Sequence, residues 1–426
     1  MTLKRRNFLG LTGMAAATGM IGGLSACNSK ESAQAAAYVS PLQNMTGDVV
    51  PISIEERQSR IEKAQRLMAE NQMDALLLDA GTALRYFTGI SWGGSERPMV
   101  AIIPVEGEVS YICPGFEEDR LRELITLGTE VYAWQEDESP YRLIADVLKK
   151  YGGSFGTLAV EERTRFFISN GIQLEAPYLK IVSGDSVTLP LRLIKSAAEI
   201  KLMQKASEIT ITAIAYAASQ LQEGMTQGDL AALISKAHNQ LGGSGGGGLC
   251  LIGTSTAFPH GSTQPQTLKK GDVVLMDCGC KVDGYGSDIT RTFIFGAEPT
   301  ARQTEIWNLE RDAQMAGFKA AQLGMPCGNV DAASRKVITD AGFGPGYALP
   351  GLPHRTGHGI GMDGHEWGNM VKGNTRLLQP GMCFSVEPTI AIPGEFGIRF
   401  EDCVFMTEQG PQWFTVPPTD ITKPFG

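Results

Sequence analysis

Histidine is scarce in this sequence, five in 426 residues. Basic runs are missing too. No stripe of Lys or Arg interrupts a chain of net charge −9, which argues against nucleic acid as a partner and leaves solubility as the use of the acidity. There is no His-Glu-x-x-His, so a helical zinc-protease motif is excluded. The run "GGSGGGG" at 242–248 lacks a Gly-Lys-Ser/Thr ending and opens no helix; it is no phosphate loop, and a mobile connection is expected there. No long repeat is evident. The apolar stretch at 8–26 is diluted by Gly, Ala and Thr, which makes it a poor transmembrane anchor. With 42% apolar residues and a mean hydropathy near zero, the rest suits a soluble globular protein, and its length suits two domains.

Lys4, Arg5 and Arg6, a weakly apolar Gly/Ala segment and a small-residue run ending at Cys27 have the outline of a secretory leader. Arg5-Arg6 followed by Asn-Phe-Leu resembles a twin-arginine export signal, and "LSAC" resembles a bacterial lipobox. These resemblances imply cleavage before Cys27, lipidation of its thiol, a membrane anchor and a periplasmic or cell-envelope location. With Cys27 taken up by the lipid, seven cysteines remain. An odd number argues against a complete disulfide framework, and Cys278 and Cys280 are too close to bridge easily, so most are expected as small buried hydrophobes.

Residues 28–50 are polar and without periodicity, a tether. Ser53 and Glu56 form a capping-box pattern before an apolar helical face at Ile61, Ala64, Leu67 and Met68. "DALLL", "PMVAIIPV" and "EVSYICP" follow as strands, with a helix after Phe116, which predicts an α/β domain over 51–190. A second start signal at Ser196 and Glu199 opens a helix to about Leu221, so the boundary falls near 185–195 and a second domain occupies 195–426.

Three of the five histidines, His354, His358 and His365, crowd into 353–368 beside five glycines. Glycine makes a helix improbable there, so His354 and His358 are no helical zinc pair. Acids stand in two other stretches. In 271–295, strands "VVLMD" and "ITRTFIF" flank Asp283-Gly284, a hairpin signal. With that turn Val282 faces Tyr285, Asp288 lies opposite Gly279, and Asp277 becomes a diagonal neighbour of Asp288, about 7–8 Å away at the backbone. In 381–406, Glu387 ends an apolar strand at a proline. Alternation puts Arg399 and Glu401 on one face and Phe400 and Asp402 on the other. Glu401 in an apolar strand needs a partner, and Arg399 is the simplest. Four carboxylates and an imidazole form a hard ligand set suited to Mn²⁺, and also to Co²⁺ or Zn²⁺. They exceed the charge one divalent ion needs, so two ions are implied.

The order Asp277, Asp288, His358, Glu387, Glu401, with "PHG" at 259–261, "MDCG…SDITRTF", "HRTGHGIGMDGHE", "SVEP" and "GIRFED", resembles the pita-bread metallopeptidases: methionine aminopeptidase, aminopeptidase P and prolidase. The resemblance covers about 195–410. "RYFTGI" at 85–90 is similar to the creatinase/prolidase N-terminal domain, which points to aminopeptidase P or prolidase. The implied fold class is an α/β (α+β) chain, a creatinase-like N-terminal domain followed by a pita-bread catalytic domain. The implied activity is hydrolysis of the N-terminal Xaa-Pro bond of peptides or dipeptides by a metal-bridging hydroxide. Asp277, Asp288, His358, Glu387 and Glu401 would hold the two ions, with Asp288 and Glu401 bridging. His260 and His365 would contact substrate, Glu387 would shuttle the proton, and His354 would stand behind the ligands or on the product side. Arg399 would either balance the carboxylates or grip a substrate carboxylate. His238, in a helical stretch, matches nothing and is expected at the surface. A homodimer is also expected. The rivals are a metal-dependent lyase or amide hydrolase acting on a small osmolyte, and a non-enzymatic binding module.

Overall fold

The computed structural model describes residues 42–151 and 156–425, so the leader with Cys27 and most of the tether lie outside the described residues. The first domain comprises α1 (Ile54–Glu70), β1 (Ala75–Asp79), α2 (Thr82–Thr88), β2 (Val100–Pro104), β3 (Ser110–Pro114), α3 (Glu118–Leu124), β4 (Glu130–Trp134), α4 (Pro140–Lys149), β5 (Thr157–Val160), α5 (Phe166–Glu175), β6 (Lys180–Ser183) and α6 (Asp185–Leu193). Its strands form one six-stranded sheet in the order β4-β3-β2-β1-β5-β6. β1, β2 and β3 are buried along their whole length, as near-continuous apolar runs must be when helices cover both faces.

The second domain opens with α7 (Ala197–Ser219) and α8 (Gln227–Leu241), which pack on β7 (Ser244–Ile252) and β8 (Val273–Val282). After β9 (Tyr285–Gly286) and β10 (Ile289–Ile294) comes a second helix pair, α9 (Ala301–Ala320) and α10 (Gly328–Asp340). The chain ends with β11 (Gly357–Gly359), β12 (Glu366–Met370), β13 (Cys383–Val386), β14 (Thr389–Ile392), β15 (Phe396–Arg399), β16 (Asp402–Thr407) and β17 (Gly410–Trp413). The sheets are β10-β8-β7, with β9 on β8; β12-β11-β13-β16-β17; and the pair β14-β15. α9 covers β13, β14 and β15, where Trp307 meets Phe400 edge to face. One apolar cluster runs from Met68 and Phe87 in the first domain to Leu202, Tyr285 and Ile360 in the second. The two domains therefore share a core.

Local signals explain most boundaries. Ser196 and Glu199 form a full capping box on α7. Ser53 caps α1, but only half the expected box forms: the Glu56 carboxylate turns instead to Arg60, at 2.7 Å, and to the Ser196 hydroxyl, at 2.7 Å. A buried guanidinium is a stronger partner than a backbone N–H.

Three expectations fail for tertiary reasons. Residues 242–248 are no mobile connection. Gly242 caps α8 in the left-handed region, and from Ser244 on the run is part of β7, paired with β8. A Cβ on Gly246 would stand 2.3 Å from the His238 Cβ, so the glycines serve close helix–strand contact. His238 is buried rather than at the surface, with Nε2 3.0 Å from the Thr210 hydroxyl, and burial pushes its pKa down to about 4. The last part of the tether is docked: Met45 N–H donates to the Leu241 carbonyl at 2.9 Å, and Leu42, Met45 and Val49 pack on the core. All seven cysteines of the described residues are buried and free.

Candidate active site

Asp283 and Gly284 both have positive φ, 45° and 89°, as a type I′ hairpin requires. The turn sets Val282 opposite Tyr285, Cys278 opposite Ile289 and Asp277 opposite Thr290, so Asp288 falls at Gly279 as its position in the turn predicts. The second acidic stretch joins this hairpin through Thr290 and Glu401, which exchange backbone hydrogen bonds of 3.1 and 3.2 Å. Alternation continues past β15. Arg399 and Glu401 turn to the pocket, Phe400 to the core, and Asp402 to Arg291. The imidazoles arrive on β11 and the loop after it. A Cβ on Gly357 would lie 1.9 Å from the Ser385 carbonyl oxygen, so only glycine brings this strand against β13.

One pocket of about 420 Å³ results. All nine site residues named from the sequence within the described chain line it: His260, Asp277, Asp288, His354, His358, His365, Glu387, Arg399 and Glu401. His358 donates from Nδ1 to the Gly359 carbonyl at 3.0 Å, which leaves Nε2 turned to the acids. Nε2 is 3.2 Å from Glu387 Oε1, 3.8 Å from Asp288 Oδ2 and 3.8 Å from Glu401 Oε1. Asp288, His358 and Glu401 each offer a ligand atom within 4.8 Å of the others.

Burial, then mutual repulsion with neighbouring carboxylates, holds Asp288 and Glu401 well above the usual carboxyl range. Burial acts the same way on Glu387, but the His358 hydrogen bond and charge outweigh it and bring it down to about 2. Burial lowers His358, and the same Glu387 contact more than reverses it. Glu401 accepts from the Thr290 hydroxyl at 2.8 Å through Oε2, while its buried Oε1 has no hydrogen-bond partner. An orphaned carboxylate oxygen among like charges is costly, and a divalent cation removes that cost. The residues present therefore fit a metal.

The other histidines differ in exposure. His354 is half-buried, donating from Nδ1 to the Arg355 carbonyl at 2.7 Å with Nε2 3.0 Å from the Thr389 hydroxyl. His365 and His260 are exposed at the mouth. The His365 ring lies 4.0 Å from that of His358, centroid to centroid, and burial plus the His358 charge push its pKa down.

Residues 201–408 match the model of metallopeptidase family M24, and residues 60–194 match the creatinase/prolidase N-terminal domain. An uncharacterized peptidase of Schizosaccharomyces pombe is 35% identical over 87% of this chain and 83% of its own. The chain belongs to metallopeptidase family M24. A Xaa-Pro dipeptidase of Lactobacillus delbrueckii is 32% identical to this M24 peptidase, over 83% of this chain and 96% of its own. The crystal structure of dipeptidase PepE from Mycobacterium ulcerans superposes with a TM-score of 0.79 at 30% identity, covering 87% of this chain and 98% of that one. The protein is a metal-dependent peptidase with a creatinase-like N-terminal domain and a pita-bread catalytic domain.

In this M24 peptidase the partner of Glu401 is not Arg399. Arg399 Nη2 meets Asp277 Oδ2 at 2.5 Å, Nη1 donates to the Pro259 carbonyl at 3.2 Å, and Nε reaches the Thr290 hydroxyl at 3.3 Å. A fork committed in this way balances carboxylates, and the arrangement does not support its grip on a substrate carboxylate. Several site residues carry no sequence signal. Arg355 lines the pocket with Nη2 3.3 Å from His365 Nδ1. The fully buried pair Arg291–Asp402 holds the Glu401 carbonyl from behind at 3.1 Å. On α10, Asp331 accepts from Thr356 N–H, and Arg335 donates to the His354 carbonyl at 2.8 Å. The one local signal for them is the four-residue spacing of Asp331 and Arg335, a pattern common on solvated helices.

Proposed function

We propose that this peptidase is a dinuclear exopeptidase that cuts the bond between the first residue and a second-position proline. The observation that carries this is the convergence of Asp277, Asp288, His358, Glu387 and Glu401 on one pocket, with a buried carboxylate oxygen left unpaired. These five would hold two divalent ions, Mn²⁺ by ligand hardness. When bound, the ions supply an activated water and polarise the scissile carbonyl.

The chain's own groups do the rest. Glu387, at the end of β13, accepts the proton of the attacking water and returns it to the leaving nitrogen. His365, held below its ordinary pKa, is a neutral donor at pH 7 and steadies the oxyanion from the mouth. His260 lies in the same pocket and orients the substrate. A proline amide nitrogen has no hydrogen, so recognition of the bond falls on carbonyl contacts and on the shape of the wall. Arg355 stands beside His365, where the carboxylate of a short peptide would meet a cation.

The test is kcat/KM for Gly-Pro, Gly-Pro-Gly-Gly and Gly-Leu with manganese-loaded and chelated protein. Cleavage of the proline peptides only when metal is present supports the proposal. Rapid cleavage of Gly-Leu with Gly-Pro untouched removes the proline assignment. Full activity after exhaustive chelation removes the metal.

A further inference from the structure

His365 sits on a short loop, and the acids on either side of it are tied to the other domain. Asp363, two residues before, accepts from three separate elements of the N-terminal domain. The Thr82 hydroxyl, at the start of α2, donates to Oδ1 at 2.7 Å; Arg163, after β5, reaches Oδ1 at 3.0 Å; Arg192, in the last turn of α6, reaches Oδ2 at 2.7 Å. Glu366, one residue after, takes Arg192 at 2.6 Å and Lys195 at 2.9 Å. It also accepts the Met362 and Asp363 N–H groups at 3.0 and 3.2 Å, which closes the loop on itself. Arg163 Nη2 donates to the His365 carbonyl at 3.3 Å, and the Trp367 indole donates to Glu162.

We propose that Asp363 and Arg163 are positioning residues through which the N-terminal domain sets the placement of the His365 imidazole. The proposal rests on the role given to His365 above. The catalytic domain anchors the loop at its ends, through Lys281 Nζ on the Met362 carbonyl at 2.6 Å and the pairing of Glu366 with Gly359. Between those ends Gly364 and His365 are exposed, and the contacts of Arg163 with the His365 carbonyl and with Asp363 hold the segment. Asp363 and Glu366 are buried with Arg192 and Lys195, where such contacts are weakly screened and strongly directional. The residues that line the pocket all belong to the catalytic domain, yet three elements of the N-terminal domain converge on one carboxylate two residues from His365.

Arg163→Ala is the main variant, because half of that side chain is exposed and its loss leaves the core intact. Asp363→Asn is the second, and Arg163→Lys the conservative control. Hydrogen exchange of the peptide spanning 361–367 should speed up in Arg163→Ala and in Asp363→Asn, with metal content near wild type in both and melting temperature near wild type in Arg163→Ala. Turnover of Gly-Pro should fall by roughly tenfold, within the ~10²-fold that a small misplacement costs, with KM little changed and partial recovery in Arg163→Lys. In a His365→Ala background, Arg163→Ala should cause no further loss, since the two changes then remove the same contribution. Unchanged loop exchange in both variants overturns the proposal, as does an undiminished Arg163→Ala effect in the His365→Ala background. If His365→Ala alone keeps full turnover, the role of His365 falls, and the clamp is then decided by loop exchange alone.

Discussion

Glu401→Gln separates a metal site from an ordinary buried acid cluster. Four carboxylates, Asp277, Asp288, Glu387 and Glu401, share the pocket with two guanidinium groups, Arg355 and Arg399, so the acids outnumber the cations when no ion is bound. Glutamine keeps the shape, and its carbonyl can still accept from Thr290. It removes one of the repelling charges and the ligand oxygen that has no other partner. Metal at a hundred times its dissociation constant stabilises the folded state by about 2.7 kcal/mol. With an unfolding entropy of about 2.1 cal/mol/K per residue, a chain of this length shifts by ~1 °C per kcal/mol, so manganese should raise the melting temperature of the stripped wild type by roughly 3 °C. In Glu401→Gln the metal-free protein should melt at or slightly above the metal-free wild type, because repulsion is relieved, and added manganese should move it by less than about 1 °C. Differential scanning calorimetry of chelated and reloaded samples measures all four values. An equal manganese shift in both proteins would refute the assignment of Glu401 as a ligand. A metal-free variant melting far below wild type would refute the claim that the empty site is electrostatically strained.

The histidines should divide into two groups. His365→Ala and His260→Ala should each cut turnover by ~10²–10⁴-fold while elemental analysis finds metal near wild-type content, whereas His358→Ala should lose metal; the reverse pattern would exchange their roles. Glu366 gives a pH prediction. Its partners Lys195 and Arg192 outweigh burial and bring its pKa down to about 2. A carboxyl depressed on folding contributes stability that is present above its unfolded pKa and lost as pH falls through the folded one, so the loss should run from about pH 5 down to 2 and amount to ~3 kcal/mol. Glu366→Gln should flatten that part of the stability–pH curve, and wild-type and variant curves that stay parallel over the range would contradict the contact.

The chemistry of the site was legible because its signals are local. A two-residue turn at Asp283-Gly284 determines which side chains of a hairpin share a face, so Asp277 and Asp288 could be brought together without any tertiary information. Alternation did the same for Arg399, Glu401 and Asp402, and caps at Ser53 and Ser196 marked where α1 and α7 begin. The clustering of three imidazoles among glycines pointed to close backbone approach, which the contact of Gly357 with Ser385 explains.

What the sequence by itself determined, then, is the identity of the groups that converge and the periodicity that aims them. The tertiary structure alone decided their partners. Glycines at 242–248 signal mobility in isolation and close packing once α8 lies on β7; His238 is polar in composition and buried in place. Arg399 takes Asp277, 122 positions away, rather than Glu401 beside it, and Asp363 is held by Thr82, 281 positions away. Such pairings leave no trace in local pattern, because an ion pair is selected by distance in the folded chain and by the desolvation that burial imposes on both charges, and neither quantity exists until the chain has folded.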